Sequence, residues 1–134
     1  MRGPADPGRR IRGTVAVEYA LLLPALLLFI LGIAECGRLF WAYTTLYRAT
    51  QAAARCGAVN ASICATASQI QNYAVTQAYG LTVDASVFTA STASCGVRVS
   101  ASFPFTLLIP WVTAGTPSGA FNIITLTSTA CYPL

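Results

Sequence analysis

The run Thr14-Val-Ala-Val-Glu-Tyr-Ala-Leu-Leu-Leu-Pro-Ala-Leu-Leu-Leu-Phe-Ile-Leu-Gly-Ile-Ala34 decides how the rest of the chain is read. Its only charge is Glu18, and its length matches the roughly 20 residues a helix needs to cross a hydrocarbon core about 30 Å thick. Arg9, Arg10 and Arg12 lie just ahead of it, so the positive-inside rule places the N-terminus in the cytoplasm and everything after Arg38 across the membrane. The formal net charge of +4 divides accordingly. Arg2, Arg9, Arg10 and Arg12 against Asp6 make the tip basic, whereas Arg38, Arg48, Arg55 and Arg98 nearly balance Glu18, Glu35 and Asp84. Basic residues next to an apolar run mark membrane topology; a nucleic-acid-binding domain would spread them over a folded face. No nucleic-acid partner is expected.

Composition narrows the chemistry further. The 134 residues are 55% hydrophobic and 9% charged, with no histidine, which excludes His-dependent triads and His-ligated metals. Four acids scattered along the chain are a poor basis for a paired-carboxylate hydrolase. The expectation is a protein with no enzymatic activity, no catalytic residue, no cofactor and no metal.

Three readings compete for the apolar run. A secretory signal peptide would use the basic tip and the small residues Gly32 and Ala34, and would leave a disulfide-stapled binding protein. A lipoprotein signal fails, because Glu35 stands directly before Cys36. A plain anchor leaves Glu18 unexplained, since an acid in a spanning segment costs about 2.5–3.5 kcal/mol unless it stays hydrated near the interface.

The third reading rests on a pattern. Gly13 followed by Glu18-Tyr19 and a leucine-rich run resembles the processing site of type IV pilin-like proteins. With Leu21-Leu22-Leu23-Pro24, Arg48-Ala49 and Ala52-Ala53-Ala54-Arg55, the stretch Thr14 to Gly57 resembles the TadE-like family of the tight-adherence (Tad/Flp) pilus system. The resemblance implies a pseudopilin or minor pilin in the bacterial inner membrane, cleaved by a prepilin peptidase after Gly13. It also implies other pilin-like subunits and Tad inner-membrane assembly proteins as partners. Glu18 would then pair with the new amine of Thr14, which lowers the cost of holding a carboxylate in lipid.

Helical character continues past Ala34. No proline occurs from Arg38 to Arg55, and Ala49, Ala53 and Gly57 form a small-residue stripe that allows close helix approach. One helix from Thr14 to Cys56 would be roughly 65 Å long, kinked or locally opened at Pro24. Two helices broken near Gly37 are the alternative. Leu39, Phe40, Trp41, Tyr43, Leu46 and Tyr47 suit an interfacial belt or the face on which a small domain packs. The chain then divides into a basic leader (1–13), a transmembrane helix (14–36), its continuation outside the membrane (37–57) and a small extracytoplasmic domain (58–134).

A second helix is expected at 67–79, with Thr66 and Gln69 as a capping box and Gly80 as the C-terminal cap. Ile63, Ala67, Ile70 and Ala74 share its apolar face. Alternation marks strands at 82–89 and 95–103, and β-branched residues mark a third at 122–131. The fold class is α+β, with a three-stranded antiparallel sheet against the two helices. So small a core calls for staples. Setting aside Cys36 at the membrane end, Cys56–Cys64 and Cys95–Cys131 are the preferred of three connectivities. If Cys95 and Cys131 face each other, Val97 and Val99 oppose Thr129 and Thr127, and Leu126 and Ile124 point away. A bulge would have to repair that register. The connection after Pro104 is apolar and aromatic, and Phe105, Leu107, Leu108, Ile109 and Trp111 read as a docking surface for lipid or another subunit, or as packing under the sheet.

Overall fold

A computed structural model describes residues 7–108 and 123–134, with side chains from Val15 onward. Helix α1 runs from Pro7 to Val59, helix α2 from Ala67 to Gln77, and strands β1, β2 and β3 cover Phe88–Ala93, Gly96–Thr106 and Ile123–Tyr132. The fold is α+β, with an antiparallel sheet in the order β1-β2-β3. The chain divides into two compact units, Met1–Cys36 and Gly37–Leu134.

In the first unit α1 passes through Pro24 uninterrupted, although proline there removes one backbone donor from the ladder. Side chains from Val15 to Leu31 are all exposed. The helix also continues through Gly37, so the break considered there does not occur.

The second unit holds the core. Ala42, Leu46, Ala49, Ala53 and Ala54 of α1 are buried in one cluster with Ile70 and Ala74 of α2 and with Phe88, Val99, Ala101, Phe105 and Leu126 of the sheet. Small side chains let the helix backbone approach the sheet, and Gly57 shows how closely. A Cβ there would stand 2.8 Å from Ile70 Cδ1 and 2.9 Å from Val97 Cγ1. The stripe of Ala49, Ala53 and Gly57 lies within the unit's own core: Ala49 and Ala53 are buried in the cluster, and Gly57 meets Ile70 of α2 and Val97 of β2.

Helix α2 begins as its sequence dictates. Gln69 N–H donates to Thr66 Oγ1 at 3.3 Å, and Gln69 Oε1 accepts from Thr66 N–H at 3.1 Å and from Ala65 N–H at 2.9 Å. Its end differs from expectation: the helix stops at Gln77, and Ala78 rather than Gly80 is the cap, donating to Ala74 O and Val75 O. Gly80 serves elsewhere. Its φ is +78°, and a Cβ would strike the Trp41 ring at 2.7 Å. Ile70 and Ala74 are buried as expected, whereas Ile63 and Ala67 are exposed.

The first strand lies later than its alternation suggested. Residues 85–87 form a 3-10 turn and β1 starts at Phe88. Strand β2 runs past its expected end at Phe103 to Thr106. Pro104 is tolerated because β1 pairs with β2 no further than Ala101, which leaves one side of β2 open there.

The β2–β3 register corrects the expectation based on facing cysteines. Cys131 lies opposite Arg98, Val99 opposite Ala130, and Phe103 opposite Leu126. This is an odd shift, and an odd shift turns every side chain of the strand to the other face. Leu126 and Ser128 become buried and Thr125, Thr127 and Thr129 exposed, so no bulge is needed. Cys95 sits in the two-residue turn between β1 and β2 and bonds Cys131 from there, with Cα atoms 6.2 Å apart. Gly96 closes that turn at φ +116°, where a Cβ would overlap the Tyr132 carbonyl oxygen.

Candidate functional site

Two surfaces carry chemistry, and they are described separately. The first is the apolar helix surface. Tyr19 is 69% exposed and Phe29 67%, and leucines such as Leu21 and Leu22 are exposed on every side of the helix. A helix apolar all round belongs in lipid or in a large core. By length and composition α1 is long and apolar enough to cross a membrane within Val15–Val59, the one such helix among the described residues. Glu18 is exposed on this surface beside Tyr19. Gly13 and Thr14 fall on the helical backbone of α1, and their side chains lie outside the described ones.

The second surface belongs to the unit Gly37–Leu134. The aromatic group after the apolar run divides in two: Leu46 is fully buried, while Phe40 is 68% exposed and Trp41, Tyr43 and Tyr47 are also exposed. The expected docking segment divides as well. Phe105 and Leu107 are buried in the core, Leu108 is exposed, and Ile109 and Trp111 lie outside the described residues. Phe105 therefore packs under the sheet, with the Arg38 guanidinium 5.1 Å from its ring centroid. At that distance a cation is attracted to the ring face.

Both cysteine pairs are bonded, Cys56 to Cys64 and Cys95 to Cys131, and Cys36 is an exposed thiol. Cys56–Cys64 closes the connection from α1 to α2 and is buried, whereas Cys95 and Cys131 are exposed. Among the described residues no group of three or more His, Cys, Asp or Glu side chains is placed to hold a metal.

Sequence reading missed a groove of about 700 Å³ in this unit. Tyr47, Arg48, Gln51 and Arg55 of α1 form one wall, and residues 129–132 of β3 form the other. In the sequence Arg48 and Arg55 stand out only in the charge balance and as parts of the family pattern. Their spacing of seven residues does place both on one helix face, but nothing in the sequence showed which strand would lie beside them. Glu35 was also missed. The sequence presents it as one charge of the balance and as an obstacle to lipoprotein cleavage, whereas the fold buries it to 6% exposure.

These features define a class: a small disulfide-bonded α+β domain built on the C-terminal half of a helix whose N-terminal half has the length and apolarity of a membrane anchor. The model of the TadE-like protein family matches residues 13–55, so this stretch of the chain is similar to that family. The match covers the apolar run and the part of α1 that enters the core. No curated protein and no solved structure matches the chain.

Proposed function

We propose that the chain is a TadE-like pseudopilin or minor pilin, a non-enzymatic, membrane-anchored component of Tad/Flp pilus assembly or secretion. The observation that carries this reading is the family match at residues 13–55 on a helix that runs unbroken from an exposed apolar surface into the core of a folded domain. Such a helix can be stored in a bilayer and later packed against other apolar helices without refolding the domain attached to it. The arginines before Gly13 keep the N-terminus in the cytoplasm of the inner membrane, and the disulfide-bonded unit is then periplasmic or extracellular, where its disulfides persist. A prepilin peptidase cuts after Gly13, removing most of the basic excess. The amine of Thr14, its own or a neighbour's, then neutralises Glu18. Other pilin-like subunits and Tad inner-membrane proteins are the partners, and energy for assembly comes from partner ATPases.

The mature N-terminus tests this directly. Terminal sequencing or intact mass of the membrane-extracted protein is expected to begin at Thr14. A start at Glu35 would instead support an ordinary signal peptide, and retention of Met1 a permanent anchor. Glu18→Ala is expected to impair cleavage or assembly while leaving the disulfide-bonded domain folded. Unchanged cleavage and assembly in that variant would remove the role assigned to Glu18.

A further inference from the structure

The two outer edges of the sheet are treated differently. Helix α2 packs against β1, and the Gln71 side-chain amide donates to the Phe88 carbonyl at 2.7 Å, so one end of that edge is bonded within the chain. Strand β3 has β2 as its one ladder partner, and among the described residues no strand pairs with its other side. An unpaired strand edge is a template for another strand. Here it also has a floor and a charge, because its last residues form one wall of the groove whose other wall presents Arg48, Gln51 and Arg55.

Arg48 and Arg55 stand two helical turns apart, roughly 10 Å along α1. Both are exposed, and no acidic residue lines the groove with them. The groove is therefore cationic without internal compensation, and a bound segment gains most if it supplies carboxylates. Acids at alternate positions of an extended strand recur about every 6.8 Å on one face, close enough for two of them to meet the two guanidinium groups. A second copy of this chain fits poorly. Glu35 is buried, Glu18 lies in the apolar helix, Asp84 flanks the 3-10 turn outside any strand, and Asp6, the remaining acid, stands among arginines in the basic leader sequence.

We propose that the β3 edge and the Arg48–Arg55 wall together form a docking groove for an extended acidic segment of a different protein, which adds to the sheet beside β3. Main-chain bonds to the strand give affinity, and the arginines select the charge of the side chains. The groove belongs to the unit Gly37–Leu134, so this inference goes beyond the pilin reading and stands or falls independently of where the N-terminus is cut.

The test uses the full chain in detergent micelles and fluorescein-labelled peptides of about ten residues, read by anisotropy. An alternating Glu-Thr peptide is expected to bind at least about tenfold tighter than its Lys-Thr counterpart, and to weaken as salt rises. The double variant Arg48→Glu/Arg55→Glu should reverse that preference, while Arg48→Lys/Arg55→Lys should keep its direction, with circular dichroism confirming that both remain folded. N-methylation of alternate peptide amides keeps the charge and removes strand pairing, so it should also weaken binding by about tenfold or more. Equal binding of the acidic and basic peptides would overturn the charge assignment. Undiminished binding of the N-methylated peptide would overturn strand addition. A single-stranded oligothymidine that binds and is lost in the charge-reversed variant would reassign the groove to a nucleic acid.

Discussion

Ala53 is fully buried between α1 and the rest of its own unit, at the centre of a stripe that a membrane protein could equally present to a neighbouring subunit. The two roles separate experimentally. Ala53→Leu adds three carbons to a packed interior and should cost about 1–3 kcal/mol of stability. The loss should appear as a lower denaturation midpoint in dilute detergent solution, where no other subunit is present. A stripe reserved for assembly would leave that midpoint unchanged and lower only the yield of assembled material. Small residues at every fourth position were legible as a surface of close approach. The partner was not, because an alanine leaves the same signature whether it receives a strand of its own chain or a helix of another. Phe105 shows the converse. An aromatic flanked by prolines reads either as a docking surface or as packing under the sheet, and β2 extends through it and turns it inward, as the position two residues after Phe103 requires of a continuing strand.

Among the elements, α2 is the one most completely written in local sequence. Thr66 and Gln69 satisfy each other's backbone donors, and Gln69 holds the Ala65 amide as well. Thr66→Ala should therefore cost about 1 kcal/mol, whereas Thr66→Ser keeps the acceptor and should stay close to wild type. Thermal unfolding of the three proteins in one detergent checks the difference. The sheet was legible in its strand number and antiparallel sense, and less so in its boundaries and register. Alternation across Thr82–Thr89 suggested a strand, but the buried positions Val83 and Phe88 are an odd number of residues apart and cannot lie on one face of one strand. The β2–β3 register is not legible from the cysteines, because a disulfide need not join facing strand residues. A cysteine in a turn reaches its partner just as well, and the apolar faces of Phe103 and Leu126 then set the alignment.

At the scale of the molecule, the buried cluster lies entirely within the unit Gly37–Leu134, while the exposed leucines are concentrated in the other. Deleting residues 1–36 should therefore move the protein from the membrane fraction to the soluble fraction and keep the β-sheet signature in circular dichroism. Loss of that signature would mean that the apolar segment also supports the fold. The family match ends at Arg55, just before the first disulfide-bonded cysteine, so the anchor was readable by resemblance and the domain beyond it only by physical pattern. The two disulfides matter in one more way if, as proposed, the chain is held in a membrane at one end and engaged outside at the other. They bridge sequence separations of 8 and 36 residues, and neither loop can lengthen while its bond is intact. Under tension that unravels the unit, these bridges withhold on the order of 150 Å of contour, at about 3.5 Å per residue. An applied load thus bypasses β2 and β3 through Cys95–Cys131, and the extension that remains comes from α1 and from the segment between the two bridges, which holds α2 and β1.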